Sequence, residues 1–148
     1  MILLRAAAAL FLIPLLLAAG CSSGLQPKSQ PPQAKTPLPS DLSLAAQVKE
    51  TVERHRAVDQ AVAVVLKEDI SVAIKVSGFD RLRLKQIKQE TSDLIRKTAP
   101  QEYTVHITTD KRIFRDLSKV LSDIEANGGV ATPKTQDQLA KLNKDMHG

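Results

Sequence analysis

From Leu44 onward, apolar residues recur with two different periods. Leu44, Ala45, Val48 and Val52 are spaced three and four apart, with Ser40 or Asp41 as N-cap, and predict a helix over 42–56. His55 falls at its end and reads as a partly buried or capping residue, since no second ligand stands near it. The period then drops to two. In the run "AVAVVLKEDISVAIKV", Val62, Val64 and Leu66 alternate with Ala61, Ala63 and Val65, so this strand is apolar on both faces. After Lys67-Glu68-Asp69, Ile70, Val72, Ile74 and Val76 alternate with Ser71, Ala73 and Lys75, which predicts a hairpin. Gly78 ends the second strand and Asp80 caps the next helix. Leu84, Ile87, Leu94 and Ile95 form the stripe of that helix, over 81–98, stopped by Pro100. In the third strand, 102–108, Tyr103, Val105 and Ile107 face one way, leaving Thr104, Thr108 and a solitary His106 on the more exposed face. Capped by Thr109 or Asp110, a last strong helix carries Ile113, Phe114, Leu117, Val120, Leu121 and Ile124, and Asn127-Gly128-Gly129 closes it. Residues 130–148 are polar, with Leu139 and Leu142 supporting a short frayed helix at most.

The order helix, strand, strand, helix, strand, helix predicts an α+β domain over 42–129, a small three-stranded sheet whose core face is packed by helices. A right-handed crossover through the second helix makes the second and third strands parallel. The pattern leaves open whether the third strand lies beside the first or the second. No internal repeat is present.

The N-terminus follows a different rule. Arg5 is the one charge among residues 1–20, followed by an apolar run from Ala6 to Ala19 that Pro14 interrupts. This is the layout of an export signal, and it is marginal as a membrane span, which takes roughly 20 apolar residues. Ala18-Ala19-Gly20-Cys21 resembles the lipobox of bacterial lipoproteins, with Ala18 where Leu is usual and Leu17 one residue further back. Two other readings remain, an ordinary cleaved signal leaving a free thiol and an uncleaved anchor. The lipobox pattern favours lipid attachment at Cys21, the only cysteine in the chain. A thiolate is a good nucleophile for acyl-type transfer, and a lone cysteine in an exported chain has no internal disulfide partner. A diacylglyceryl group supplies two chains, enough for stable attachment to a membrane where one chain is marginal.

Residues 21–41 form a linker. Between Leu25 and Ser40 lie Pro27, Pro31, Pro32, Pro37 and Pro39, a composition that favours extended polyproline geometry and reaches up to roughly 50 Å. Composition then narrows the function. The chain has 21 Lys and Arg against 16 Asp and Glu, and losing Arg5 with the signal leaves a net charge of +4. That suits a protein partner or anionic lipid, and it equally suits a solvated surface. Arg81, Lys85, Lys88 and Arg96 flank one helix stripe and carry the same two meanings. With three Phe, one Tyr and no Trp, the chain lacks the rings of a carbohydrate platform or a base-stacking surface. KH and RRM signatures are absent, which argues against nucleic acid. No nucleophile elbow, phosphate loop, zinc motif or cysteine pair occurs, so no catalytic residue, metal ligand or cofactor site is expected. Glu68-Asp69 reads as turn chemistry. A cell-envelope hydrolase or hydrolase accessory is the alternative, and it would require His55 or His106 to meet a carboxylate in a concave pocket.

Taken together, Ala61–Leu66, Ile70–Ile74, the basic helix 81–98 and Tyr103–Asp110 resemble the YhcN/YlaJ family of sporulation lipoproteins over about residues 44–129. Ser71 stands where that family often has an aromatic, and no proline follows Asp110. The resemblance implies a non-enzymatic, lipid-anchored protein on the exported side of the cell membrane, in the spore membrane, serving sporulation, germination or outgrowth. It brings no catalytic residues. The arrangement also resembles BON and ring-building domains, which implies a sheet edge or helical face that meets phospholipid or another subunit.

Overall fold

In the computed structural model, described over residues 35–147, the hairpin forms the centre of a three-layered fold. Strand β2 (Val58–Leu66) pairs antiparallel with β3 (Asp69–Val76), and β3 pairs in parallel with β4 (Thr104–Thr108), giving the order β2-β3-β4. The third strand of the sequence pattern therefore lies beside the second, parallel to it as expected. Lys67 in the hairpin turn adopts φ 56°, a left-handed conformation that costs a side-chain-bearing residue on the order of 1 kcal/mol.

Helices cover both faces of this sheet. Helix α1 (Leu42–Glu53) and helix α2 (Leu84–Thr98) pack on one face. There Val48, Val52, Ile87 and Ile95 meet Ala61, Ala63, Val65, Ile70, Val72 and Ile74. Helix α3 (Lys111–Ala126) and helix α4 (Pro133–His147) pack on the other face, with Leu117, Val120, Ile124, Leu139 and Leu142 against Val62, Val64, Leu66 and Ala73. This is why β2 is apolar on both faces. A sheet covered on one face would leave Val62, Val64 and Leu66 in water, whereas each is buried.

Local chemistry sets the element ends. The carboxylate of Asp41 accepts from the Leu44 N–H at 2.8 Å and starts α1. Asp110 does the same for α3, accepting from Arg112 and Ile113 at 2.7 and 3.0 Å. The expected stop at Asn127-Gly128-Gly129 is a Schellman cap: Gly129 N–H donates to Ile124 O at 2.9 Å and Gly128 N–H to Glu125 O at 3.0 Å, with Gly128 at φ 66°. A 3₁₀ turn at Phe79–Arg83 leads into α2, which begins at Leu84, three residues later than the pattern suggested.

The fold extends beyond 42–129 at both ends. Strand β1 (Leu38–Pro39) pairs antiparallel with β5 (Val130–Ala131), so the expected linker 21–41 ends before Leu38. The expected polar tail 130–148 is instead β5 followed by α4. Thr132 caps that helix, its Oγ1 accepting from Thr135 N–H at 3.2 Å, and Pro133 occupies the first helical position. Leu139 and Leu142 are buried in the second core rather than frayed. Gln136 ties the ends together, its Nε2 donating to Thr36 O at 2.8 Å and Ala131 O at 3.1 Å. Among the described residues, every strand pairing and both apolar clusters are made within 38–146, so this part of the chain carries its own core.

Candidate functional site

Cys21, the expected lipid attachment residue, lies outside the described residues, as do the signal 1–20 and the linker up to residue 34. No described helix is long and apolar enough to cross a membrane.

His106 is not solitary, nor is it on an exposed face. Its side chain is 9 % exposed, and Nε2 lies 2.9 Å from Asp69 Oδ1 while Nδ1 lies 2.5 Å from His147 Nε2. Nε2 thus faces the carboxylate and Nδ1 the second imidazole. Beside it, buried Ser71 Oγ donates to Asn143 Oδ1 at 2.6 Å, and Arg112 reaches Asp145 at 3.2 Å. These contacts fasten α4 across β3, β4 and α3. The expectation of exposure failed because α4, read as a tail, covers this face. His55 does fill the expected capping and partly buried role: Nδ1 accepts from Ala57 N–H at 3.2 Å and Nε2 donates to Glu90 at 2.9 Å. That bond, and a second from Gln86, hold the Glu90 carboxyl below its ordinary value of 4.5.

Both histidines thus meet carboxylates, yet neither meets an open nucleophile. Both ring nitrogens of His106 are engaged, and the nearby Ser71 hydroxyl is fully buried and donates to Asn143. Asp69 lines a groove of about 310 Å³ beneath β1 that does not include His106. Among the described residues, no three His, Cys, Asp or Glu side chains are grouped to hold a metal.

The outer edge of β4 is the open edge of the sheet. Thr104 N–H donates to Glu68 O at 2.7 Å, and the parallel register Asp69↔Thr104 to Ala73↔Thr108 commits the peptide groups of Thr104, His106 and Thr108 to β3. Val105 and Ile107 consequently turn their N–H and C=O groups outward, and no described residue bonds them there. These two residues floor an open groove of about 520 Å³ between α2 and α4, walled by Leu84, Lys85 and Lys88 on one side and Met146 on the other. The opposite edge of the sheet is partly closed: Asp41 N–H donates to Val65 O at 3.1 Å, Ser40 Oγ to the same carbonyl at 2.7 Å, and Glu53 Oε1 accepts from Ala61 N–H at 3.0 Å. The β4 edge needs the strand order to be seen, and the sequence pattern left that order open. The basic flank was visible from sequence, and two of its members, Lys85 and Lys88, stand on this groove.

The family model described as sporulation lipoprotein YhcN/YlaJ matches residues 21–138. No curated protein matches the chain.

Proposed function

The chain belongs to the YhcN/YlaJ family of sporulation lipoproteins, and on that premise we propose that it is a non-enzymatic docking protein of the spore membrane, serving germination or outgrowth. Lipid on Cys21 holds it to the membrane, and the proline-rich segment after Cys21 tethers the α+β domain to that anchor. The domain then offers the outer edge of β4 to an extended segment of a partner protein. Main-chain bonds to Val105 and Ile107 supply affinity, while Lys85 and Lys88 favour acidic side chains on the incoming strand. The unbonded edge of β4 is the observation that carries this reading, because an exposed edge is otherwise a liability that folds cover. The engagement of His106 and Ser71 in fastening α4 supports a role without catalysis.

Val105→Pro tests it. Proline removes an N–H that points away from β3, so the sheet is kept while strand addition is blocked. In a sporulating host lacking the native gene, the variant is expected to reach the membrane fraction at wild-type level and to germinate like the deletion strain. Wild-type germination by Val105→Pro spores would overturn the docking role of this edge.

A further inference from the structure

Phe79 and Leu82 are 99 % and 97 % exposed, the two large apolar side chains of the described residues left in water. Both sit in the 3₁₀ turn Phe79–Arg83, where residues three apart eclipse, so they project from the same side of the turn. Neither contributes to either core. The turn's one acid, Asp80, is drawn inward by a bond from Ser77 Oγ at 2.8 Å. Arg81, Arg83 and Lys85 around it are exposed, and none forms an ion pair with a described carboxylate. An aromatic and a leucine on one side, ringed by exposed cations outside any ion pair of the described residues, match a surface that is apolar below and anionic above.

We propose that this turn is a second membrane contact, in which Phe79 and Leu82 enter the headgroup boundary of an anionic bilayer while Arg81 and Arg83 meet lipid phosphates. Charge complementarity selects the bilayer over a second copy of this chain, since two copies meeting at this turn would bring like charges together. Anchoring through Cys21 raises the local concentration of membrane, so a weak contact suffices to orient the domain. The proposal rests on the lipoprotein reading for its setting, and its test leaves the anchor out.

The chain has no tryptophan, so Phe79→Trp introduces a single reporter at a position that packs against nothing. The test protein is residues 21–148 with Cys21→Ser, which retains every described residue and cannot be acylated. On vesicles of phosphatidylglycerol mixed with phosphatidylcholine, its emission is expected to shift to the blue and to be quenched by brominated acyl chains, with no response to pure phosphatidylcholine. Ser122→Trp, exposed on α3, is expected to respond to neither. Adding Leu82→Asp to Phe79→Trp should weaken vesicle binding by at least about tenfold. An unchanged Phe79→Trp spectrum on anionic vesicles, an equal response from Ser122→Trp, or a blue shift that depends on protein concentration without vesicles would overturn the proposal. Each of these outcomes is independent of whether Cys21 is acylated.

Discussion

Thr91 is fully buried on α2, and its hydroxyl has no hydrogen-bond partner among the described residues. A desolvated hydroxyl without a partner costs more than it returns, so Thr91→Val, which keeps the shape, should stabilise the domain by about 1 kcal/mol. Urea unfolding would show this as a higher midpoint at unchanged slope. The sequence pattern passes over this residue because it draws the α2 stripe from the apolar Leu84, Ile87, Leu94 and Ile95, of which Ile87 and Ile95 are buried and Leu84 and Leu94 only half-buried. Glu90 and Asp110 make a second prediction at this scale. Hydrogen bonds from His55 and Gln86 lower the first carboxyl below 4.5, and the backbone N–H groups of Ile113 and Arg112 lower the second below 3.8. A carboxyl lowered on folding gives stability that is present above its unfolded value and lost as the pH falls through the lowered one. Stability should therefore decline below about pH 4.5. Glu90→Gln should flatten the upper part of that decline, with Asp110 acting only at still lower pH, as followed by circular dichroism during acid titration.

At the scale of elements, α4 decides how the molecule is understood. It looked like a polar tail because the residues it buries are mixed: Thr135, Gln136, Leu139, Leu142 and Asn143. Three of those five are polar, so a search for apolar periodicity finds two leucines and stops. The capping signal Thr132-Pro133, followed by positions 135, 139, 142 and 146 at helical spacing, was present and is what a fuller pattern search would use. With α4 missing, the sheet had only one face to cover, and His106 had to be placed in solvent. The hairpin is legible from its period of two on either side of a polar turn, and α1 and α3 from a helical period that follows a capping aspartate. Leu139→Ala tests the weight of α4, since it removes a side chain 3 % exposed in the second core and should cost about 2–5 kcal/mol. A loss under about 0.5 kcal/mol, the range of surface substitutions, would mean that α4 does not pack as described.

For the whole molecule, the described residues form one three-layered domain. The domain buries both sheet faces, pairs His55 and His106 with carboxylates and leaves one strand edge unpaired beside two lysines. The sequence pattern does not show which strand edge is left unpaired, because strand order is a long-range property. The lipobox, by contrast, is a local pattern, and the family match begins at that same cysteine, residue 21. Membrane attachment through Cys21 is the claim on which the docking role depends. The measurement that tests it most directly is metabolic labelling with a palmitate analogue in a sporulating host, comparing wild type with Cys21→Ala and fractionating the spores. Labelled wild-type protein in the spore membrane fraction is expected, with loss of both label and membrane association in Cys21→Ala. Unlabelled wild-type protein released in soluble form would contradict it.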